Sequence, residues 1–118
     1  MKKLAFALLG VLALAACEDG GSAYSYNSGD SYNRVVNVTN TTGMTMTHFY
    51  ASNSNSRSWG PEQLGPTTVL PSGQYTRINF DDGTGACVFD FKARFNNGQE
   101  LLKYGVNVCS ISNYNYVR

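Results

Sequence analysis

Residues 87–109, CVFDFKARFNNGQELLKYGVNVC, begin and end in cysteine and constrain the fold more than any other stretch. Cys87, Phe89, Phe91, Ala93 and Phe95 share one side of an extended chain, while Asp90, Lys92 and Arg94 share the other with Val88. Apolar residues at every second position describe a strand with one face on a core and one in water. Asn96-Asn97-Gly98-Gln99 breaks the alternation, and Asn-Gly tolerates the positive φ that a hairpin turn demands. A return strand over 100–111 follows, with Gly105 as a bulge or kink. If the turn centres on Gly98, Cys87 and Cys109 each lie eleven residues from it and oppose one another. A two-residue turn at Asn97-Gly98 misses that match by one, and a bulge at Gly105 restores it.

Upstream, short runs of β-forming residues alternate with turn signals. Residues 34–40 (RVVNVTN) are rich in β-branched side chains, and 40–43 (NTTG) read as a turn. Residues 44–52 (MTMTHFYAS) alternate, with Met44, Met46, His48 and Tyr50 on one face and Thr45, Thr47, Phe49 and Ala51 on the other. Residues 67–70 (TTVL) read as a short strand before the Pro71-Ser72-Gly73 turn, and 74–80 (QYTRINF) as a longer one before the turn 81–85 (DDGTG). No helical period follows the first seventeen residues. The expected fold is all-β: a small antiparallel, immunoglobulin-like β-sandwich of about six or seven strands. Trp59, Phe80, Phe89, Phe91 and Phe95 are its expected core.

The N-terminus states where such a domain resides. Met1-Lys2-Lys3 precedes an apolar run from Leu4 to Ala16, the pattern of a secretory signal. The run is shorter than the roughly 20 residues a membrane span needs. Leu14-Ala15-Ala16-Cys17 resembles the bacterial lipobox, in which cleavage precedes a cysteine that then carries lipid. That reading gives a signal peptide over 1–16, lipidated Cys17 with a flexible tether over 17–33, and the β-domain over 34–118. Two or more acyl chains anchor stably. The other reading is ordinary cleavage after Ala15, which leaves Cys17 as a free thiol. Glu18 after the cysteine favours the outer membrane. Tyr24, Tyr26 and Tyr32 interrupt the Gly/Ser/Asn-rich tether, as solvated side chains or as docking groups.

Loss of Lys2 and Lys3 with the signal turns nine basic residues into seven, against eight acidic ones. The mature chain is close to neutral and has no basic stripe, so nucleic acid is not an expected partner. With Cys17 used for lipid, Cys87 and Cys109 remain as an even pair in an oxidising compartment, and a disulfide is expected. It leaves neither sulfur for catalysis or zinc.

No chemical constellation stands out. His48 is the only histidine, which removes paired-histidine metal sites and reads as structural. The domain's carboxylates are Glu62, Asp81, Asp82, Asp90 and Glu100. Asp81 and Asp82 are candidate cation ligands, without EF-hand spacing. No glycine-rich phosphate loop is present. No metal, cofactor or catalytic residue is expected.

Four segments, VNVTNTTGMTMTHFYAS, WGPEQLG, VLPSG and CVFDFKARFNNGQE with VNVC, together resemble a family of small secreted β-proteins of Proteobacteria. That family carries a WGxDxLG segment and a paired C-x-[FY]-D…C pattern. Some members bear the label argininosuccinate lyase, an enzyme far larger and helical. The resemblance covers about residues 35–112 and implies the β-fold and the disulfide, with no catalytic residues. Glu62 stands where the family often has aspartate. Within WGPEQLG, Trp59 and Glu62 have two readings: core plug with turn residues, or a recognition loop. The functional expectation is a lipid-anchored, non-enzymatic binding or structural module of the bacterial envelope with a protein partner. The alternative is a small-ligand or calcium-binding module.

Overall fold

A computed structural model describes residues 27–118; Cys17, Tyr24, Tyr26 and the signal segment lie outside the described residues. The strands are β1 (Val35–Asn40), β2 (Met46–Asn53), β3 (Tyr75–Asn79), β4 (Val88–Phe95), β5 (Glu100–Asn107) and β6 (Asn113–Tyr116). They form two three-stranded sheets, in the orders β3-β1-β6 and β2-β4-β5. The chain is thus a small all-β sandwich. One pairing departs from the antiparallel expectation: β1 and β6 run parallel, with Val38 opposite Tyr114 and Asn40 opposite Tyr116.

Alternation builds the core. Val36 and Val38 of β1, Ile78 of β3 and Tyr116 of β6 point inward from one sheet. Phe49 and Ala51 of β2 with Phe89, Phe91, Ala93 and Phe95 of β4 point inward from the other. Phe49 packs edge-on to Phe91 at 5.2 Å and to Tyr116 at 5.9 Å, and Phe80 stacks on Phe91 at 5.1 Å. Such geometries add about 0.5–1.5 kcal/mol per pair beyond burial. In β2 the register shifts between Met46 and His48. The extra residue lets Met46 and Phe49 both face inward, which strict alternation over 44–52 does not allow.

The hairpin corrects the expected register. Phe95 N donates to Gln99 O and Gly98 N to Phe95 O, both at 2.9 Å. The loop is therefore Asn96-Asn97-Gly98, centred on Asn97, with Gly98 at φ 85°. A bulge then sets Tyr104 and Gly105 against Asp90; Gly105 has φ 71° and its N–H donates to the Asp90 carboxylate at 3.0 Å. Past it, Val108 N donates to Cys87 O at 2.8 Å, so Val108 rather than Cys109 faces Cys87. Cys109 lies one residue further, and the Cys87–Cys109 disulfide closes with Cα atoms 5.2 Å apart.

Three other expectations change. Residues 67–70 form no strand; Leu70 alone bridges Met46. The return strand ends at Asn107, and a further strand, β6, follows. Trp59 is half-buried and outside the core. Its ring lies 5.3 Å from Lys92 Nζ, which also sits 5.0 Å from the Tyr50 ring. Lys92 alternates with buried Phe91 and Ala93, so Trp59 rests on the outer face of β2-β4-β5. It reaches that face because residues 59–65 pass along the edge of β2, where Leu64 rather than Trp59 turns into the core.

A candidate binding cleft at one end of the sandwich

Glu62 is occupied structurally. Its Oε2 accepts the N–H of Phe49 at 2.9 Å and of Leu64 at 2.7 Å, and its Oε1 accepts Gly65 N–H at 2.9 Å. Gln63 N donates to Phe49 O at 2.7 Å, and Tyr50 bridges Glu62. One carboxylate thereby satisfies the exposed edge of β2 and caps the turn that follows. Glu62 thus serves as an acceptor for three backbone donors.

Asp81 and Asp82 follow β3. Asp81 accepts the Ser28 N–H and the Gly83 N–H, each at 2.9 Å, and the Ser28 hydroxyl. Asp82 accepts Asn53 Nδ2 at 2.9 Å, Thr84 N at 3.1 Å and the Thr84 hydroxyl at 2.6 Å. Burial pushes both carboxyls up. Those hydrogen bonds, with the Arg34 guanidinium beside Asp81, outweigh it and hold both below the usual range. Both aspartates are thus turn-forming acceptors. Among the described residues no group of three His, Cys, Asp or Glu side chains is placed to hold a metal.

Sequence reasoning passed over Arg34, whose side chain is 1% exposed. Its Nε donates to Ala86 O at 2.7 Å, and its Nη2 to Gly85 O at 2.9 Å. Nη1 and Nη2 grip the Asp30 carboxylate bidentately at 2.8 and 2.9 Å. Nη2 also lies 3.7 Å from Cys87 Sγ, and Nη1 3.9 Å from Asp81. The Arg34 bond dominates in bringing the Asp30 carboxyl down to about 2, while Asp30 raises the guanidinium's own value. This buried cation fastens three segments: residues 28–30, the start of β1, and the 81–87 loop. Ser28 and Asp30, expected within the tether, therefore pack on the domain. The signal was a charged residue opening a β-branched run, which reads equally well as a solvated strand end.

His48 lies half-buried on the outer face, with Nδ1 3.0 Å from the Thr47 hydroxyl and its ring parallel to Tyr50 at 6.3 Å. It meets no carboxylate within ion-pair distance among the described residues. Asp90 accepts the Ser54 hydroxyl at 2.8 Å, and Glu100 pairs with Arg94 at 2.8 Å.

Between the loop 53–63 and the turn 79–82, at one end of the sandwich, lies a cleft of about 240 Å³. Buried Ala51, Phe80 and Phe89 form its floor, with Pro61 at the wall. Ser52, Asn53, Gln63, Asp81 and Asp82 supply polar atoms around it. An apolar floor with a few convergent polar groups is the usual form of a small-ligand site. A broader groove of about 530 Å³ follows the edge of β2 past His48, Glu62 and residues 65–69. It touches no phenylalanine of the core and does not reach between the sheets, so the smaller cleft is the better-built site. The cleft unites two segments the sequence offered separately, Trp59–Gly65 and Asp81-Asp82, although Trp59 and Glu62 themselves point elsewhere. No family model, curated protein or solved structure matches this chain.

Proposed function

We propose that this chain is the precursor of an exported bacterial lipoprotein of the envelope, related to the small secreted β-proteins it resembles. Cys17 carries the diacylglycerol and, on its amine, an acyl chain such as palmitate. The anchored protein sits at the outer membrane and faces the periplasm. The β-domain acts without catalysis, as a binding or structural module that meets an envelope protein. The observation that carries the reading is Leu14-Ala15-Ala16-Cys17 at the end of a short apolar run behind two lysines. The Cys87–Cys109 disulfide supports it, since such bonds persist in oxidising compartments. Growth with an alkyne analogue of palmitate should label the protein and place it in the membrane fraction. Cys17→Ser should lose both label and fractionation. Labelling that survives Cys17→Ser overturns the assignment.

A second reading, a small-ligand module, is favoured by the cleft. Within it an organic ligand suits the site better than calcium, because Asp81 and Asp82 already accept backbone, amide and hydroxyl donors. A thermal melt with calcium and then chelator should show no shift; a rise of several degrees with calcium would reinstate the cation.

A further inference from the structure

We infer that the cleft receives an aromatic side chain of the chain's own N-terminal segment, Tyr26 first and Tyr24 second, docking the tether on the domain. The inference rests on the cleft being the binding site.

Ser28 is pinned beside the cleft: its N–H donates to the Asp81 carboxylate at 2.9 Å, and its hydroxyl accepts Gly85 N–H at 3.0 Å. Asp81 is itself a wall of the cleft. An extended chain advances at most about 3.6 Å per residue, so the Tyr26 Cα lies within about 7 Å of the Ser28 Cα and Tyr24 within about 14 Å. That bound leaves the cleft within reach of a tyrosine two residues before Ser28, with no rearrangement of the domain required.

The chemistry of the cleft matches a phenol. A tyrosine side chain is an apolar ring with one O–H donor. The floor offers the rings of Phe80 and Phe89, and the rim offers carboxylate, amide and hydroxyl oxygens from Asp82, Asn53 and Ser52. Among the described residues no lysine or arginine lines it, so an aromatic donor fits better than an anion. The size agrees as well. An apolar cavity of about 150 Å³ takes benzene, so a 240 Å³ cleft has room for one phenol ring. A ligand or partner entering the cleft must therefore compete with the chain's own tyrosine.

The test uses the full mature lipidated protein in detergent micelles. A benzophenone amino acid placed at position 26 and irradiated should give adducts within the same chain at Pro61, Phe80 or Phe89. In ¹⁵N spectra, Tyr24→Ser combined with Tyr26→Ser should shift the amide signals of Asn53, Gln63 and Asp82. p-Cresol should then bind the double variant severalfold more tightly than the parent protein. If p-cresol binds both proteins alike and no adduct reaches the cleft, the tether is not the occupant, although the cleft remains a site. If p-cresol binds neither protein and adducts are absent, the cleft reading falls too. Adducts only between chains, or only to another protein, also overturn the inference.

Discussion

Arg34 shows how one buried charge organises this domain. Its guanidinium is satisfied by two carbonyls and a bidentate carboxylate, so its desolvation is offset by strong, directed bonds. Arg34→Met keeps the bulk and removes the bonds, leaving Asp30 and two carbonyls without their donor. The expected loss is about 3 kcal/mol, the low end for a broken buried pair because Asp30 remains partly exposed. A urea midpoint measures it; an unchanged midpoint would show that the clamp contributes nothing. The same cluster sets the acid limb. Asp30, Asp81 and Asp82 all have carboxyl values lowered by folding. A lowered carboxyl stabilises the fold above its unfolded value near 4 and loses that contribution as pH falls through the folded value. Stability should therefore decline from about pH 4 towards about 2, the folded value of Asp30. Asp30→Asn should flatten that decline in urea midpoints collected across the range.

Within single elements, the β4–β5 hairpin carries most of the local specification. Its bulge places Gly105 at φ 71°, and a Cβ there would meet nothing within 4 Å. Gly105→Ala therefore tests backbone strain alone and should cost about 1–2 kcal/mol. The disulfide joins residues 22 apart and should contribute roughly 3 kcal/mol on a chain-entropy account. Reduction should lower Tm by at least about 10 °C, at several degrees per kcal/mol for a domain of this size. An unchanged melt after verified reduction would show the fold to be independent of the bond. The outer edge of β5, which pairs with no strand among the described residues, is also managed. Lys103 turns inward over the Tyr116 ring at 5.7 Å, and the Gly105 bulge distorts the ladder, both features that discourage edge-to-edge pairing.

For the whole molecule, the joint between the sheets is decided by the last strand. Tyr116 is fully buried, packs edge-on against Phe49 and Tyr114, and donates its hydroxyl proton to Leu101 O of β5 in the facing sheet at 2.7 Å. Burial pushes its phenol far up, so it remains a donor throughout the working range. Tyr116→Phe keeps the ring and removes the hydroxyl's bond to the Leu101 carbonyl, an expected loss of about 1 kcal/mol. Tyr116→Ala also opens a cavity and should lose about 3–5 kcal/mol. Chemical denaturation of the two variants separates the bond from the packing, and an unchanged midpoint for Tyr116→Phe would mean that the hydroxyl bond contributes nothing.

Some of this was legible in the linear chain. Alternation in 87–95, the Asn-Gly turn and the paired cysteines are local or short-range signals, and they suffice for the all-β class, the hairpin and the disulfide. Phe80, Phe89, Phe91 and Phe95 were recognisable as core because each lies on the apolar face of its own strand. Trp59 was not, because nothing within WGPEQLG states which side of β2 the segment follows. The parallel β1–β6 pair and the burial of Arg34 depend on contacts between residues more than fifty positions apart, and the cleft joins the separate segments 51–63 and 79–89. Such contacts form only when both sheets have closed, and no periodicity within either partner encodes them. Periodicity and turn chemistry thus determined what each segment becomes. Only the tertiary structure decided which loops meet, because long-range neighbours are chosen by the packing of the two completed sheets.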